Sequence, residues 1–233
     1  DRSPAIDFCA TERRGAEMFS DAGPAVEKVT RADFINYFDD KSGEVWPIPM
    51  NSKRCPTVAV QPLTKDKAVL NAMIDKLSPV GGTAGHIGLQ WGWYMIAPNW
   101  PEVVPDSKPV AYDAPDSEKY IILMTDGMFN SEASGLADGD VRSFAGISQK
   151  SGRLAMTYCD EIKDKDVKVY TIGFRLNDIA KAAQREEAVR MLDDCATDPV
   201  GSETTFYNAE NGAELKQAFD DIARRIQTLR LTN

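Results

Sequence analysis

The stretch that decides the fold is Tyr120-Ile121-Ile122-Leu123-Met124-Thr125-Asp126-Gly127, near the middle of the 233-residue chain. It begins with five apolar or aromatic residues, which is typical of a strand covered on both faces within a parallel sheet. The Asp-Gly pair then predicts a turn, which places Asp126 at the carboxyl end of the strand. In an open α/β sheet, that end of the strands faces the binding crevice.

The chain after this strand repeats the alternation of helix and strand. Apolar residues at helical spacing predict a helix over 155–162, and a continuous apolar run predicts a strand over 167–174. A helix over 188–195, a short strand around 205–207 and an amphipathic helix from about residue 213 follow. We therefore expect a doubly wound α/β fold with a mostly parallel sheet flanked by helices.

The first half of the chain divides into two parts. Residues 1–56 are rich in turn formers and poor in periodicity, so we expect an irregular insertion, with a short helix allowed around 31–38. Residues 57–63 suit a short strand, and the apolar residues of 89–95 predict a buried helix. The α/β unit is therefore expected to occupy residues 57–233.

Composition excludes several classes of function. Lys and Arg total 27 against 36 Asp and Glu, and the resulting net charge of -9 repels nucleic acid. No apolar run approaches the roughly 18 to 20 residues that span a bilayer. We therefore expect no nucleic-acid partner.

The cysteines bear on the cellular compartment, and they are Cys9, Cys55, Cys159 and Cys195. None of their spacings suits a zinc ribbon, and the chain has a single histidine, so zinc is not expected. An even count favours two disulfides, and Cys9–Cys55 with Cys159–Cys195 is the simplest of the three possible pairings. The alternative is four reduced thiols in a cytosolic protein. Two disulfides would tie residues 1–56 together and place the protein outside the cytosol.

Two turns carry side chains that suit a metal ion. Gly81-Gly82-Thr83 precedes a helix and Asp126 follows the central strand, so we expect both at one edge of the sheet. A hydroxyl and a carboxylate are hard oxygen donors of the kind that Mg²⁺ or Mn²⁺ takes. Taken singly, Thr83 is better explained as a helix cap, and Asp126 is better explained as a turn residue.

Four nearby residues could support such a site. Gly82 and Gly127 let the backbone approach a ligand closely. Asn130 could orient the loop after the central strand, although an ordinary loop asparagine explains it equally well. His86 lies one helical turn after the first turn and could touch the rim of the site, but a surface or helix-capping histidine is the simpler interpretation.

Together, the two turns resemble the second and third elements of the metal-ion-dependent adhesion site of von Willebrand factor A domains. The wider pattern resembles the A domain of TadG-like pilus-assembly proteins of bacterial tight-adherence systems, over most of residues 57–233. The matching stretches are Pro62-Leu63-Thr64, Gly82-Thr83-Ala84-Gly85-His86, Leu89-Gln90-Trp91-Gly92-Trp93, Met124-Thr125-Asp126-Gly127-Met128-Phe129-Asn130, Val169-Tyr170-Thr171-Ile172-Gly173-Phe174 and Cys195-Ala196, with Phe8-Cys9-Ala10-Thr11-Glu12-Arg13 before them.

The resemblance implies a non-enzymatic binding module with a von Willebrand factor A fold and a Mg²⁺ or Mn²⁺ site built on Thr83 and Asp126. It also implies a periplasmic or cell-surface location and a protein partner, another pilus-assembly or surface component. The first element of the adhesion site, Asp-x-Ser-x-Ser after the central strand, is missing from the chain. The family pattern therefore implies that the first strand, and an inner-membrane anchor, lie upstream of Asp1.

The alternative function is a magnesium-dependent hydrolase or phosphatase that uses Asp126 on the same α/β scaffold. It lacks support in the sequence, because no second acidic cluster and no second histidine accompany Asp126. We therefore expect a binding module and not an enzyme.

Overall fold

The structure is a computed structural model, and it describes residues 11–29, 34–39, 42–49, 58–78, 82–101, 108–133 and 141–229. Within these ranges the chain forms two three-stranded sheets and five α-helices. In chain order the elements are β1 (Phe34–Phe38), β2 (Val45–Pro49), α1 (Lys67–Ile74), α2 (Gly85–Ile96), β3 (Tyr120–Thr125), β4 (Ser131–Ala133), α3 (Lys150–Lys163), β5 (Lys168–Phe174), α4 (Ala182–Cys195), β6 (Phe206–Ala209) and α5 (Gly212–Leu229).

The central sheet is parallel and has the strand order β3-β5-β6. Side chains of β5 alternate between two helical layers, as a strand inside an α/β sandwich requires. Val169 packs in the core formed with α2, α3 and α4, whereas Tyr170 and Ile172 pack against α5. The predicted α/β class, with a parallel sheet between helices, is confirmed.

Strand β3 is less covered than its apolar sequence predicts. Ile122 and Met124 are 40% and 46% exposed, so the prediction that both faces of this strand are buried is wrong for one face. The reason is the position of α5, which packs over β5 and β6. Among the described residues, β3 also pairs on one side only, with β5, so the sheet ends at an unpaired edge.

Helices α3 and α4 are joined by a disulfide between Cys159 and Cys195, as predicted. Their Cα atoms are 5.2 Å apart, and both side chains are fully buried. The bond forms because each cysteine occupies the apolar stripe of its helix, so that packing of the two stripes brings the sulfur atoms together. Cys9 and Cys55 lie outside the described residues.

Residues 11–29, which we call the N-terminal strap, contain no helix or strand and pack against the core. Arg13 is fully buried, and its backbone N–H donates to Gln90 Oε1 of α2 at 3.1 Å. Its guanidinium donates to the carbonyl of Ala22 at 2.6 Å and lies over the rings of Tyr94 and Trp100. The strap is therefore held to α2 by a buried cation, hydrogen bonds and cation–π contacts.

The second sheet is antiparallel, with the order β2-β1-β4. It shows that the helix allowed around 31–38 is wrong, because residues 34–38 form β1. Strand β1 pairs from Phe34↔Pro49 to Phe38↔Val45 on one side, and Tyr37 pairs with Ser131 on the other. Two partner strands satisfy the backbone hydrogen bonds of β1. These hydrogen bonds outweigh the helical spacing of three apolar residues in the segment.

The segment before α2 is weakly packed. Residues 58–63 form no strand, contrary to the prediction, and Val60 and Leu63 are more than two-fifths exposed. A strand needs a neighbour for its ladder, and these residues have none within the described chain. Helix α1 begins after Asp66, which caps it, and buries none of its residues.

No helix in the described ranges has the length and apolar character needed to cross a bilayer.

Candidate functional site

The turn before α2 and the loop after β3 are bonded to each other. The Asn130 side-chain oxygen accepts a hydrogen bond from the Thr83 N–H at 2.8 Å. In return, the Thr83 carbonyl accepts from the N–H groups of Asn130 and Ser131, at 2.9 and 3.1 Å. Asn130 therefore links the loop after β3 to the turn before α2.

Gly82 allows this close approach. A Cβ atom at this position would overlap the Ser131 hydroxyl and would lie 2.7 Å from the ring of Tyr37 in β1. Side chains this close would force the turn away from the second sheet. Gly127, by contrast, has open space where a Cβ would lie.

Asp126 lies in that turn and is exposed. The turn is closed by Thr125, whose hydroxyl donates to the Gly127 carbonyl at 3.1 Å. No hydrogen bond joins the Asp126 carboxylate to Thr83 within the described residues. Thr83 is therefore bonded to Asn130, four positions after Asp126, and not to Asp126 itself.

The donor set fits a hard cation but is too small to hold one firmly. Thr83 and Asp126 would offer one hydroxyl and one carboxylate, whereas Mg²⁺ requires about six oxygen ligands, some of them water. Across the described ranges, no group of three or more His, Cys, Asp or Glu side chains is arranged to hold a metal. Further ligands would have to come from another polypeptide segment.

The sequence favoured a surface or helix-capping position for His86, but the structure places this side chain in the core. It is fully buried, with Nδ1 2.7 Å from the Ser151 hydroxyl of α3 and Nε2 3.4 Å from the Glu12 carboxylate of the strap. All three side chains are 0% exposed. The cluster resembles a nucleophile relay in composition, but its enclosure gives a substrate no access, and it acts here as a polar link between the strap, α2 and α3.

Glu132 of β4 extends this polar region toward the second sheet. Burial of its carboxyl group raises its pKa, and the nearby Glu12 acts in the same direction. Lys150, His86 and a hydrogen bond with Asn36 oppose the shift. Burial dominates because an ionised carboxylate loses more hydration on entering the protein than these partners return.

Sequence reasoning missed Glu12 and Ser151. Neither had been given a role, although Glu12 lies in a stretch that matches the family pattern, and they are 74 and 65 positions from His86 in sequence. The one available signal was the isolated histidine on an otherwise apolar helix, since a buried imidazole needs polar partners. That signal indicates a partnered histidine but cannot say which distant residues supply the partners.

Comparison with known proteins gives limited information. No protein family matches the chain, and no curated protein matches it. The pilus adhesin SpaC from Lactobacillus rhamnosus GG, in its open conformation, is similar with 16% identity and a TM-score of 0.43, over 78% of this chain and 23% of the adhesin. A second crystal structure of that adhesin gives 16% identity and a TM-score of 0.41, over 67% and 21%. The chain spans less than a quarter of the adhesin's length, and likeness at this level does not establish a function.

Proposed function

We propose that this chain is an extracytoplasmic, non-enzymatic protein-binding module with a von Willebrand factor A-type fold, of the TadG-like pilus-assembly class. The observation that carries the proposal is the junction of the two turns, where Asn130 Oδ1 accepts from the Thr83 N–H at 2.8 Å. This bond joins the threonine turn to the loop that follows Asp126 at the carboxyl end of β3, where an adhesion-type metal site would lie. The partner would be another pilus-assembly or surface protein.

The open edge of β3 supports this fold assignment. A parallel sheet normally has both faces covered, yet Ile122 and Met124 remain 40% and 46% exposed beside an unpaired edge. A further parallel strand with its helix would cover both. Such a strand is where an Asp-x-Ser-x-Ser element would supply the ligands that Thr83 and Asp126 need.

The disulfide supports an extracytoplasmic location. Cys159 and Cys195 are fully buried and bonded, and disulfides of this structural kind persist in oxidising compartments. A metal held by an open adhesion-type site could complete its coordination with a carboxylate of a partner protein. The site would then bind the partner without cleaving it.

Metal binding tests the proposal most directly. We expect Mn²⁺ to bind the 233-residue chain weakly, and to bind at least tenfold more tightly when a strand ending in Asp-x-Ser-x-Ser is fused before residue 1. Isothermal titration calorimetry and the shift in melting temperature would measure both. Asp126→Ala should abolish the gain, whereas Asp193→Ala, an exposed acid away from the site, should not.

Two results would overturn the proposal. One is an extended chain whose Mn²⁺ affinity is no greater than that of the 233-residue chain. The other is steady hydrolysis of a simple phosphate ester that is lost in Asp126→Ala, which would favour the hydrolase alternative.

A further inference from the structure

We propose that the hairpin of β1 and β2 carries a second protein-binding surface, which recognises a lysine- or arginine-bearing segment of a partner through Trp46. This surface does not require a metal at Thr83 and Asp126. It adds a partner-recognition element that the adhesion-type site alone would not provide.

Trp46 is unusually exposed for its residue type. It is 53% exposed, whereas Trp93 and Trp100 are each 1% exposed in the core. Neighbouring Val45 is also exposed, at 58%. Tryptophan contributes a large apolar area and is enriched at protein–protein contacts, so an exposed tryptophan on an ordered strand marks a candidate contact.

The face that carries Trp46 adjoins the candidate site. Trp46 pairs with Tyr37 across the hairpin, and paired residues of an antiparallel ladder point to the same face. The ring of Tyr37 on that face contacts the Gly82 turn, since a Cβ at Gly82 would lie 2.7 Å from it. A partner that reaches the Thr83 turn from this side would therefore meet the hairpin face.

The edge of β2 favours recognition by side chains over strand addition. Pro47 and Pro49 occupy alternate positions of β2 and have no N–H group. A partner strand added at this edge would lack two N–H donors from β2. Natural edge strands use proline in this way to resist pairing. A partner on this surface must therefore be bound through Trp46 and its neighbours.

Charge selects a cationic partner. The connection between β1 and β2 contains Asp39, Asp40 and Glu44 against one basic residue, Lys41. Glu44 is exposed and two positions before Trp46, so strand alternation directs it to the same side. A lysine or arginine could then stack on the indole and approach the carboxylate together. Association with a second copy is disfavoured, because each chain carries a net charge of -9.

The binding of an oligolysine peptide labelled with fluorescein, followed by fluorescence anisotropy, tests this proposal. We expect Trp46→Ala to weaken binding about two- to fivefold, the range of an exposed cation–π contact, and Trp46→Phe to retain part of the affinity. Glu44→Gln should weaken binding and reduce its salt dependence. The matched controls are Val26→Ala, at a position 69% exposed in the strap, and Asp193→Asn, and both should bind as the unchanged chain does.

Three outcomes would overturn the inference. Equal peptide binding by Trp46→Ala and the unchanged chain would show that Trp46 takes no part. An equal loss in Asp193→Asn would show non-specific attraction to an acidic protein. Sedimentation that reveals a dimer lost in Trp46→Ala would assign the surface to a second copy. Peptide binding is measured without added metal, so failure here is distinguishable from failure of the metal-site proposal.

Discussion

Glu132 shows at the residue scale how burial alters the chemistry of a single group. Its carboxyl group is withdrawn from water on β4, beside Asn36 and close to the His86 cluster, and its pKa is raised from the ordinary value of 4.5. A carboxyl group with a raised pKa is better tolerated in the folded protein when protonated. Its ionisation near neutral pH therefore reduces the free energy of unfolding.

The Glu132→Gln variant should consequently be more stable than the unchanged chain at pH 7. The advantage should shrink as the pH falls and disappear below about pH 4, where Glu132 is protonated in both the folded and unfolded states. Urea unfolding of both proteins from pH 4 to pH 7 would measure it. Glu44→Gln, at an exposed position, is the control and should change stability little. An advantage independent of pH would contradict this account of Glu132.

At the element scale, α2 illustrates how similar glycines differ in their surroundings. Gly85 begins the helix against Phe129, and a Cβ there would overlap the phenyl ring. That ring is 2% exposed and packed in the core, so it has little room to move. Gly92, two turns later, has no atom within 4 Å of the corresponding point.

Alanine should therefore have opposite effects at these two positions of one helix. Gly85→Ala should destabilise the protein by about 1 to 3 kcal/mol through overpacking. Gly92→Ala should stabilise it by about 0.5 to 1 kcal/mol, because alanine loses less backbone entropy in a helix. Chemical denaturation of the two variants would measure both effects. A stabilised Gly85→Ala protein would show that Phe129 does not close this end of the helix.

At the scale of the whole molecule, the disulfide is the main covalent constraint that the described residues contain. It joins α3 to α4 across a sequence separation of 36 residues, and those helices cover one face of the parallel sheet. In the chain-entropy account, closing a loop of this size stabilises the fold by about 4 kcal/mol.

The Cys159→Ala/Cys195→Ala variant should therefore lose about 4 kcal/mol of unfolding free energy, or less if its unfolded state retains structure. Urea unfolding would measure the loss. The Cys159→Ser/Cys195→Ser variant, kept under the same oxidising conditions, is the matched control, because its side chains are close to cysteine in size but cannot form the bond. A loss below about 1 kcal/mol in both proteins would contradict a main stabilising role for the bond.

The elements that could be predicted from the sequence are those with strong local patterns. The apolar run of β3, the alternating helix and strand that end in α5, and the Cys159–Cys195 pairing all follow from periodicity and spacing. The errors fall where pairing or distance decides the outcome. Residues 34–38 form a strand because two partner strands lie beside them, whereas none of the described strands pairs with 58–63.

By itself, the sequence determined the α/β class, the alternation of helices and strands from α3 to α5, and the positions of Thr83 and Asp126 in turns at strand and helix ends. Periodicity and turn chemistry act over a few residues, and a sequence displays them directly. Only the tertiary structure decided that His86 meets Glu12 and Ser151, that Asn130 holds the Thr83 turn, and that one face of β3 remains open. These contacts join segments far apart in the chain, and close packing selects them only after the whole domain has assembled.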